Sequence, residues 1–189
     1  NQMMEYAYRE GYSHFPRFEF RKIKITKDEI GVRDIFTLDE YDRLVRYLRT
    51  YTSKKECPDD TQRRERLMVR DCILIASNTM LRVGELWNLK WNDIESIEKR
   101  KDYAGQVVHL ATINVRAETS KVRTSRRIIV RGGEYITRLK NNNKFTSHND
   151  FLFTAVDGAS MLNRKKWYIH WKNIMLGIGI DDYQERQLS

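Results

Sequence analysis

A capping box constrains the fold more than any other feature of this sequence. In Thr37-Leu38-Asp39-Glu40 the threonine hydroxyl can accept a hydrogen bond from the first turn of a helix, and the glutamate carboxylate can accept one from the threonine N–H. Apolar residues then recur at helical spacing, namely Leu38, Tyr41, Leu44, Val45 and Leu48. The pattern predicts an amphipathic helix, whose start we interpret as the start of the main domain.

The next helices lead to an arginine at a turn. Residues 52–62 are polar and predict a loop, and residues 63–77 predict a helix that begins charged and ends apolar. Polar residues then make a turn, and residues 83–89 predict a short helix. Arg82 therefore stands at a helix start, where free N–H groups and the helix dipole favour an anion such as phosphate. The alternative is a surface arginine, or one paired with Glu85.

Strand-forming residues follow and enclose a basic loop. Residues 94–105 are charged and predict a loop, whereas Val and Ile enrichment predicts strands over 106–110, 111–117 and 126–130. The last two strands enclose a hairpin loop, 118–125. Its basic cluster comprises Arg116, Lys121, Arg123, Arg126 and Arg127, with Glu118 as the acid nearby. Such a cluster suits nucleic acid, although basic residues also protect exposed strand edges.

The remaining segments complete a helix-rich α+β pattern. Residues 1–10 predict the tail of a helix that ends at Gly11, and residues 12–31 predict a linker or, over 18–25, a strand. Later segments predict a helix over 132–140, a polar loop over 141–150, a short buried segment over 151–153 and an amphipathic helix over 161–176 that glycines break. We therefore expect a mainly α fold with one small antiparallel sheet.

Composition points to nucleic acid. The 189 residues carry a formal net charge of +9 and a mean hydropathy of −0.70, while 40% of them are hydrophobic, which is enough for a core. The apolar runs are far shorter than a membrane span, so we expect no membrane partner. Of the two cysteines, Cys72 lies in an apolar run and is interpreted as a buried thiol in a reducing cytoplasm.

Three of these segments together resemble a known family. The box Leu81-Arg82-Val83-Gly84-Glu85-Leu86, continued by Leu89-Lys90-Trp91 and Asp93-Ile94, is similar to the first box of tyrosine recombinases, the phage integrases. The segment from Thr119-Ser120-Lys121 to Val130 resembles their lysine-bearing β-hairpin. The segment Phe36 to Glu40 resembles the opening of their catalytic domain, and the order and spacing of all three agree.

The resemblance implies a fold, a reaction and residue roles. Arg82 would clamp the scissile phosphate, Glu85 would support it, and Lys121 would protonate the leaving 5′ hydroxyl while a tyrosine forms a 3′-phosphotyrosyl link. No metal or other cofactor would be needed, because guanidinium groups neutralise the transition state. Arg123 and Arg126 are our candidates for DNA-backbone contacts. Residues 1–34 would end a core-binding domain and its linker, and residues 35–189 would be a partial catalytic domain.

The sequence also departs from the family pattern. Glycine is usual where Met80 stands, and no His-x-x-Arg box follows the last predicted helix, where Asn173 instead stands three residues after His170. Tyr183 stands too early for the nucleophile and is interpreted as a surface tyrosine. We therefore expect an inactive piece, incomplete at its C-terminus, of an active recombinase encoded by a bacterium or phage. The alternative is a degenerate, DNA-binding relative that acts as a regulator or accessory factor.

The resemblance extends to partners and setting. The parent protein would break and rejoin double-stranded DNA in the integration or excision of a mobile element. It would act as a tetramer on DNA in the cytoplasm, associated with the nucleoid. The chain by itself is expected to be monomeric, and its target sequence is not readable from these residues.

Overall fold

The structure, a computed structural model, describes residues 2–17, 34–155, 162–181 and 186–187. The chain divides into two compact units, residues 1–32 and 33–189. In the first unit, helix α1 spans Gln2–Arg9 and gives way to Gly11 at φ 74°. The helix predicted to end at this glycine is confirmed. The strand alternative over 18–25 lies outside the described residues, as does most of the predicted linker.

The second unit opens as its capping box predicts. A short strand, β1 (Asp34–Ile35), precedes helix α2 (Leu38–Tyr51). The Thr37 hydroxyl accepts from the Glu40 N–H at 3.2 Å, and the Glu40 carboxylate accepts from the Thr37 N–H at 2.8 Å. The inner face of α2 buries Leu44, Leu48 and Tyr51. The helix start is therefore confirmed.

Helix α3 is longer than predicted and ends under strain. It spans Asp60–Thr79 because the Asp59 carboxylate accepts from the Gln62 N–H at 2.6 Å and caps an earlier turn. Met80 follows at φ 52°, the left-handed conformation that glycine adopts most easily. This backbone bend leads directly to helix α4 (Val83–Trp87), which is shorter than the 83–89 predicted.

The sheet corrects two predictions. Strands β2 (Ile94–Lys101), β3 (Val107–Val115) and β4 (Arg126–Arg131) form an antiparallel sheet in the order β2-β3-β4. The loop predicted over 94–105 is therefore wrong, and the two strands predicted over 106–110 and 111–117 are one continuous strand, β3. Strand β2 pairs with β3 from Ile94 opposite Ile113 to Lys101 opposite Val107. Its charged side chains are compatible with an edge strand whose outer surface is solvated.

The rest of the second unit packs helices on this sheet. Helix α5 spans Gly133–Asn142 and helix α6 spans Arg164–Gly177, while strand β5 (Arg186–Gln187) pairs in parallel with β1. A side chain at Gly133 would meet Ile97 at 2.8 Å and the His109 carbonyl oxygen at 3.2 Å. The glycine thus permits the close approach of α5 to the sheet.

One apolar core joins α2, α3, α4, α5, α6 and the sheet. The predicted α+β class, mainly helical with a small antiparallel sheet, is confirmed. Cys72 is fully buried as predicted, and burial raises the pKa of its thiol above the ordinary range. No helix among the described residues is long and apolar enough to cross a bilayer.

Candidate active site

Arg82 is the N-cap residue of α4. Its backbone is extended, at φ −60° and ψ 146°, and 55% of its side chain is exposed. The neighbouring Leu81 is buried in the core and anchors the turn. The exposed guanidinium can therefore offer donors to a ligand from a fixed backbone position.

Glu85 connects Arg82 to the hairpin. Its carboxylate accepts from the Arg82 N–H at 3.0 Å and from the Arg82 guanidinium at 3.3 Å. It also accepts two hydrogen bonds from Arg126, at 2.9 and 2.7 Å, and is itself almost completely buried. These Arg126 bonds, with help from Arg82, outweigh burial and hold the pKa of Glu85 below its ordinary 4.5. The same bonds raise the pKa of Arg126.

A second buried carboxylate binds the hairpin on the side where β3 ends. Asp93 lies in a short 3-10 helix, Trp91–Asp93, where it accepts from the Lys90 N–H at 2.8 Å. The Arg116 Nε lies 3.0 Å from its Oδ1. Arg116 also donates at 2.6 Å to the carbonyl oxygen of Asn88, the C-cap residue of α4.

The loop between Arg116 and Arg126 is built from turns. Thr119 donates from its N–H and hydroxyl to the Arg116 carbonyl oxygen, at 3.1 and 3.0 Å. The Arg123 N–H donates to the Ser120 carbonyl oxygen at 3.0 Å, and Arg123 itself has φ 51°. Lys121 and Arg123 have exposed side chains. Among the described residues neither side chain has a hydrogen-bond or ion-pair partner.

The basic cluster is more neutralised than its sequence indicates. Arg116 contacts Glu118 as well as Asp93, Arg126 is held by Glu85, and Arg127 lies 2.6 Å from Glu95. Apart from Glu118, these acids stand outside the hairpin segment. A count of charges within the hairpin segment does not include Asp93, Glu85 and Glu95, because only the tertiary packing brings these acids close to the arginines.

The structure brings together some predicted residues and separates others. Arg82, Glu85 and Arg126 form one network, in which Arg126 is occupied by a carboxylate. Lys121 and Arg123 lie on the loop outside that network, and their roles, like that of Arg126 toward DNA, stay predictions. The residues missed were Arg116 as an anchor and Asp93 as its partner. The only sequence signal was the place of Asp93 in the first box.

His170 and His148 stand apart from this network. The His170 ring bonds Tyr51 and Glu65, whereas His148 has an exposed side chain, and Tyr183 lies outside the described residues. No three His, Cys, Asp or Glu side chains cluster as metal ligands would in the part of the chain that the structure describes.

Comparison with solved structures shows which fold this is. The chain superposes on XerH, a site-specific recombinase whose crystal structure is a pre-cleavage complex with its difH substrate, with a TM-score of 0.57 over 94% of the present chain. The fold is that of a tyrosine recombinase catalytic domain. The chain shares 15% sequence identity with XerH and spans 46% of its length. No family model matches the sequence, and no curated protein does.

Proposed function

We propose that the protein carrying this chain is a tyrosine-type site-specific recombinase. The strongest support is the network in which Glu85 binds both Arg82 and Arg126. Arg126 lies where the Lys121 loop ends, and the fold around the network is recombinase-like. Double-stranded DNA is the proposed partner, as the net charge of +9 favours. A tetramer on DNA and a cytoplasmic setting are parts of the same proposal.

In the proposed reaction, Arg82 binds the scissile phosphate through its exposed guanidinium. A tyrosine oxygen forms a bond to phosphorus and gives its proton to the surrounding water, and the bond from phosphorus to the 5′ oxygen breaks. The ammonium group of Lys121 gives its proton to that departing oxygen. The negative charge that develops on the phosphate oxygens is stabilised by guanidinium donors already in place. We assign the attacking tyrosine to none of the described residues.

The test is covalent trapping with the full-length protein. A nicked suicide DNA duplex should give a protein–DNA adduct that survives denaturation. Arg82→Ala should lower its rate of formation by roughly 100- to 1,000-fold, because one fixed transition-state donor is lost. Arg100→Ala removes an exposed arginine from β2, where it pairs with Glu98, and should leave the rate unchanged.

The same experiment separates the two candidate functions. An adduct that forms at the normal rate with Arg82→Ala would contradict the assignment of Arg82. Sequence-specific DNA binding without any adduct in the wild type would instead favour the regulator or accessory factor.

A further inference from the structure

We propose that Arg116 is a positioning residue, which holds the Lys121 loop against the turn that carries Arg82. This inference rests on the proposed function and assigns a part of that site to a residue outside the first box. Proton donation by a lysine has a geometric requirement. A lysine that donates a proton must lie within hydrogen-bond reach of the leaving oxygen, and a displacement of about 1 Å can cost roughly 100-fold in rate.

The loop leaves the sheet where regular pairing stops. The last registered pair of β3 and β4 is Val115 opposite Arg126, so the ladder does not extend into the loop. At this end of the ladder, Arg116 and Arg126 each bind a buried carboxylate. Arg116 binds Asp93, which follows α4, and Arg126 binds Glu85, which lies within α4.

Arg116 fastens the loop to the α4 turn at several points. Its guanidinium bonds the Asp93 carboxylate and the carbonyl oxygen of Asn88, while a third contact reaches Glu118 inside the loop. The Arg116 side chain is 21% exposed and Asp93 only 4%. A planar guanidinium with three partners in different directions has little freedom to shift.

The backbone carries this anchoring toward Lys121. The Arg116 carbonyl oxygen accepts from both the N–H and the hydroxyl of Thr119. Ser120, whose N–H donates to the Ala117 carbonyl oxygen at 3.2 Å, is buried immediately before the exposed Lys121. Movement of Arg116 would therefore displace the turn from which Lys121 projects.

Arg126 is less suited to the test than Arg116. It shares Glu85 with Arg82, so replacing it would disturb the proposed phosphate-binding arginine directly. Arg116 forms its hydrogen bonds and ion pairs with Asp93, Asn88 and Glu118 and with neither Arg82 nor Glu85, so its effect on the reaction would run through the loop.

Leaving-group chemistry can distinguish an effect through Lys121 from a general loss of structure. In a DNA substrate with sulfur at the 5′ bridging position, the bond from phosphorus to sulfur breaks and a thiolate departs. A thiol is far more acidic than an alcohol, so this leaving group needs no proton from Lys121. Any defect that lies only in proton donation should disappear with the sulfur substrate.

The experiment measures single-turnover cleavage of matched oxygen and sulfur substrates by the full-length protein. Arg116→Gln should slow cleavage of the oxygen substrate by about 10- to 100-fold and of the sulfur substrate by less than about threefold. Lys121→Ala should show the same selectivity, and Arg82→Ala should slow cleavage of both substrates by roughly 100- to 1,000-fold. Arg131→Gln, at the far end of β4, is the control and should resemble the wild type on both.

A double variant guards against misfolding. Arg116→Gln alone leaves the buried Asp93 without its cation, whereas Asp93→Asn/Arg116→Gln removes both charges and keeps an oxygen to accept from Lys90. The double variant should retain the selective defect. Equal losses on both substrates, or no loss in either variant, would overturn the role of Arg116. A wild type that cleaves neither substrate would overturn the proposed function itself.

Discussion

At the scale of single residues, Glu85 is the centre of the candidate site. One buried carboxylate accepts from the backbone and guanidinium of Arg82 and from both terminal nitrogens of Arg126. A carboxylate out of contact with water needs such partners, because burial without them favours its neutral form. Glu85 therefore couples the folding of the turn to the arrangement of its two arginines.

Removing either side of this ion pair should destabilise the protein unequally. Glu85→Gln should lower the free energy of unfolding by about 1 to 3 kcal/mol, the value of hydrogen bonds to a charged group. Arg126→Gln leaves the buried carboxylate with only Arg82 and should cost more, about 3 kcal/mol. Urea unfolding at pH 7 measures both. Glu98→Gln, in an exposed pair with Arg100, should change stability by less than about 0.5 kcal/mol.

The Glu85 contribution has a defined pH dependence. Its folded pKa lies below the ordinary 4.5, so in acid the unfolded state binds the proton more readily. The stabilisation is present above pH 4.5 and is lost as the pH falls through the folded pKa. The difference between wild type and Glu85→Gln should therefore shrink on acidification. A difference that stays constant from pH 7 to pH 3 would contradict this account.

At the scale of elements, a polar network fastens three helices away from the arginine site. The Tyr51 hydroxyl on α2 lies 2.6 Å from Nδ1 of His170 on α6, and Nε2 of that ring lies 2.9 Å from Glu65 on α3. Burial raises the pKa of Tyr51 to about 12, so its hydroxyl stays neutral and can donate to the ring. The Arg66 guanidinium lies 4.4 Å from the centre of the Tyr51 ring.

Tyr51→Phe should reveal the contribution of this network. The substitution keeps the ring but leaves the buried His170 nitrogen without its partner, which should cost about 1 to 3 kcal/mol. Thermal or urea unfolding measures the change at pH 7 and again at pH 9, with the same cost expected because the hydroxyl ionises only near pH 12. Tyr168→Phe on the exposed face of α6 is the control and should be neutral. An equal, negligible effect of both would show that the network does not stabilise the helices.

At the scale of the whole molecule, the net charge of +9 overstates the freely available positive charge around the hairpin. Three of its five basic side chains already have carboxylate partners, whereas those of Lys121 and Arg123 are exposed and, among the described residues, have none. Any attraction to the DNA backbone through this loop should therefore be concentrated in these two residues.

Salt dependence tests that concentration of charge. The affinity of the 189-residue chain for duplex DNA should fall linearly on a log–log plot against salt, with a slope of about −0.9 for each phosphate contacted. Arg123→Gln should reduce the magnitude of that slope by about one. Lys54→Gln, in the loop between α2 and α3, removes the same charge and should leave the slope unchanged. Equal effects of both variants would indicate that the net charge matters and the loop does not.

The features that arise from local interactions were predictable from the sequence. The capping box spans four residues, so the start of α2 was predictable to the residue. Strand-forming residues on both sides of the basic segment likewise predicted the hairpin, and the apolar run predicted the buried end of α3. The family resemblance implies glycine where Met80 stands, and the structure shows Met80 at positive φ. Each of these depends on contacts within a few residues along the chain.

The register of β2 and the partners of the arginines depend on long-range packing and were not predictable from the sequence. The many charged residues of β2 hide the sequence pattern of a strand. Its strand conformation depends on hydrogen bonds to β3. Glu85 and Arg126 are separated by 41 positions, and Asp93 and Arg116 by 23. Charge patterns show that such residues need partners. Which carboxylate meets which guanidinium is settled by the packing of α4 against the hairpin, because an ion pair forms only where the folded backbone brings both groups within reach.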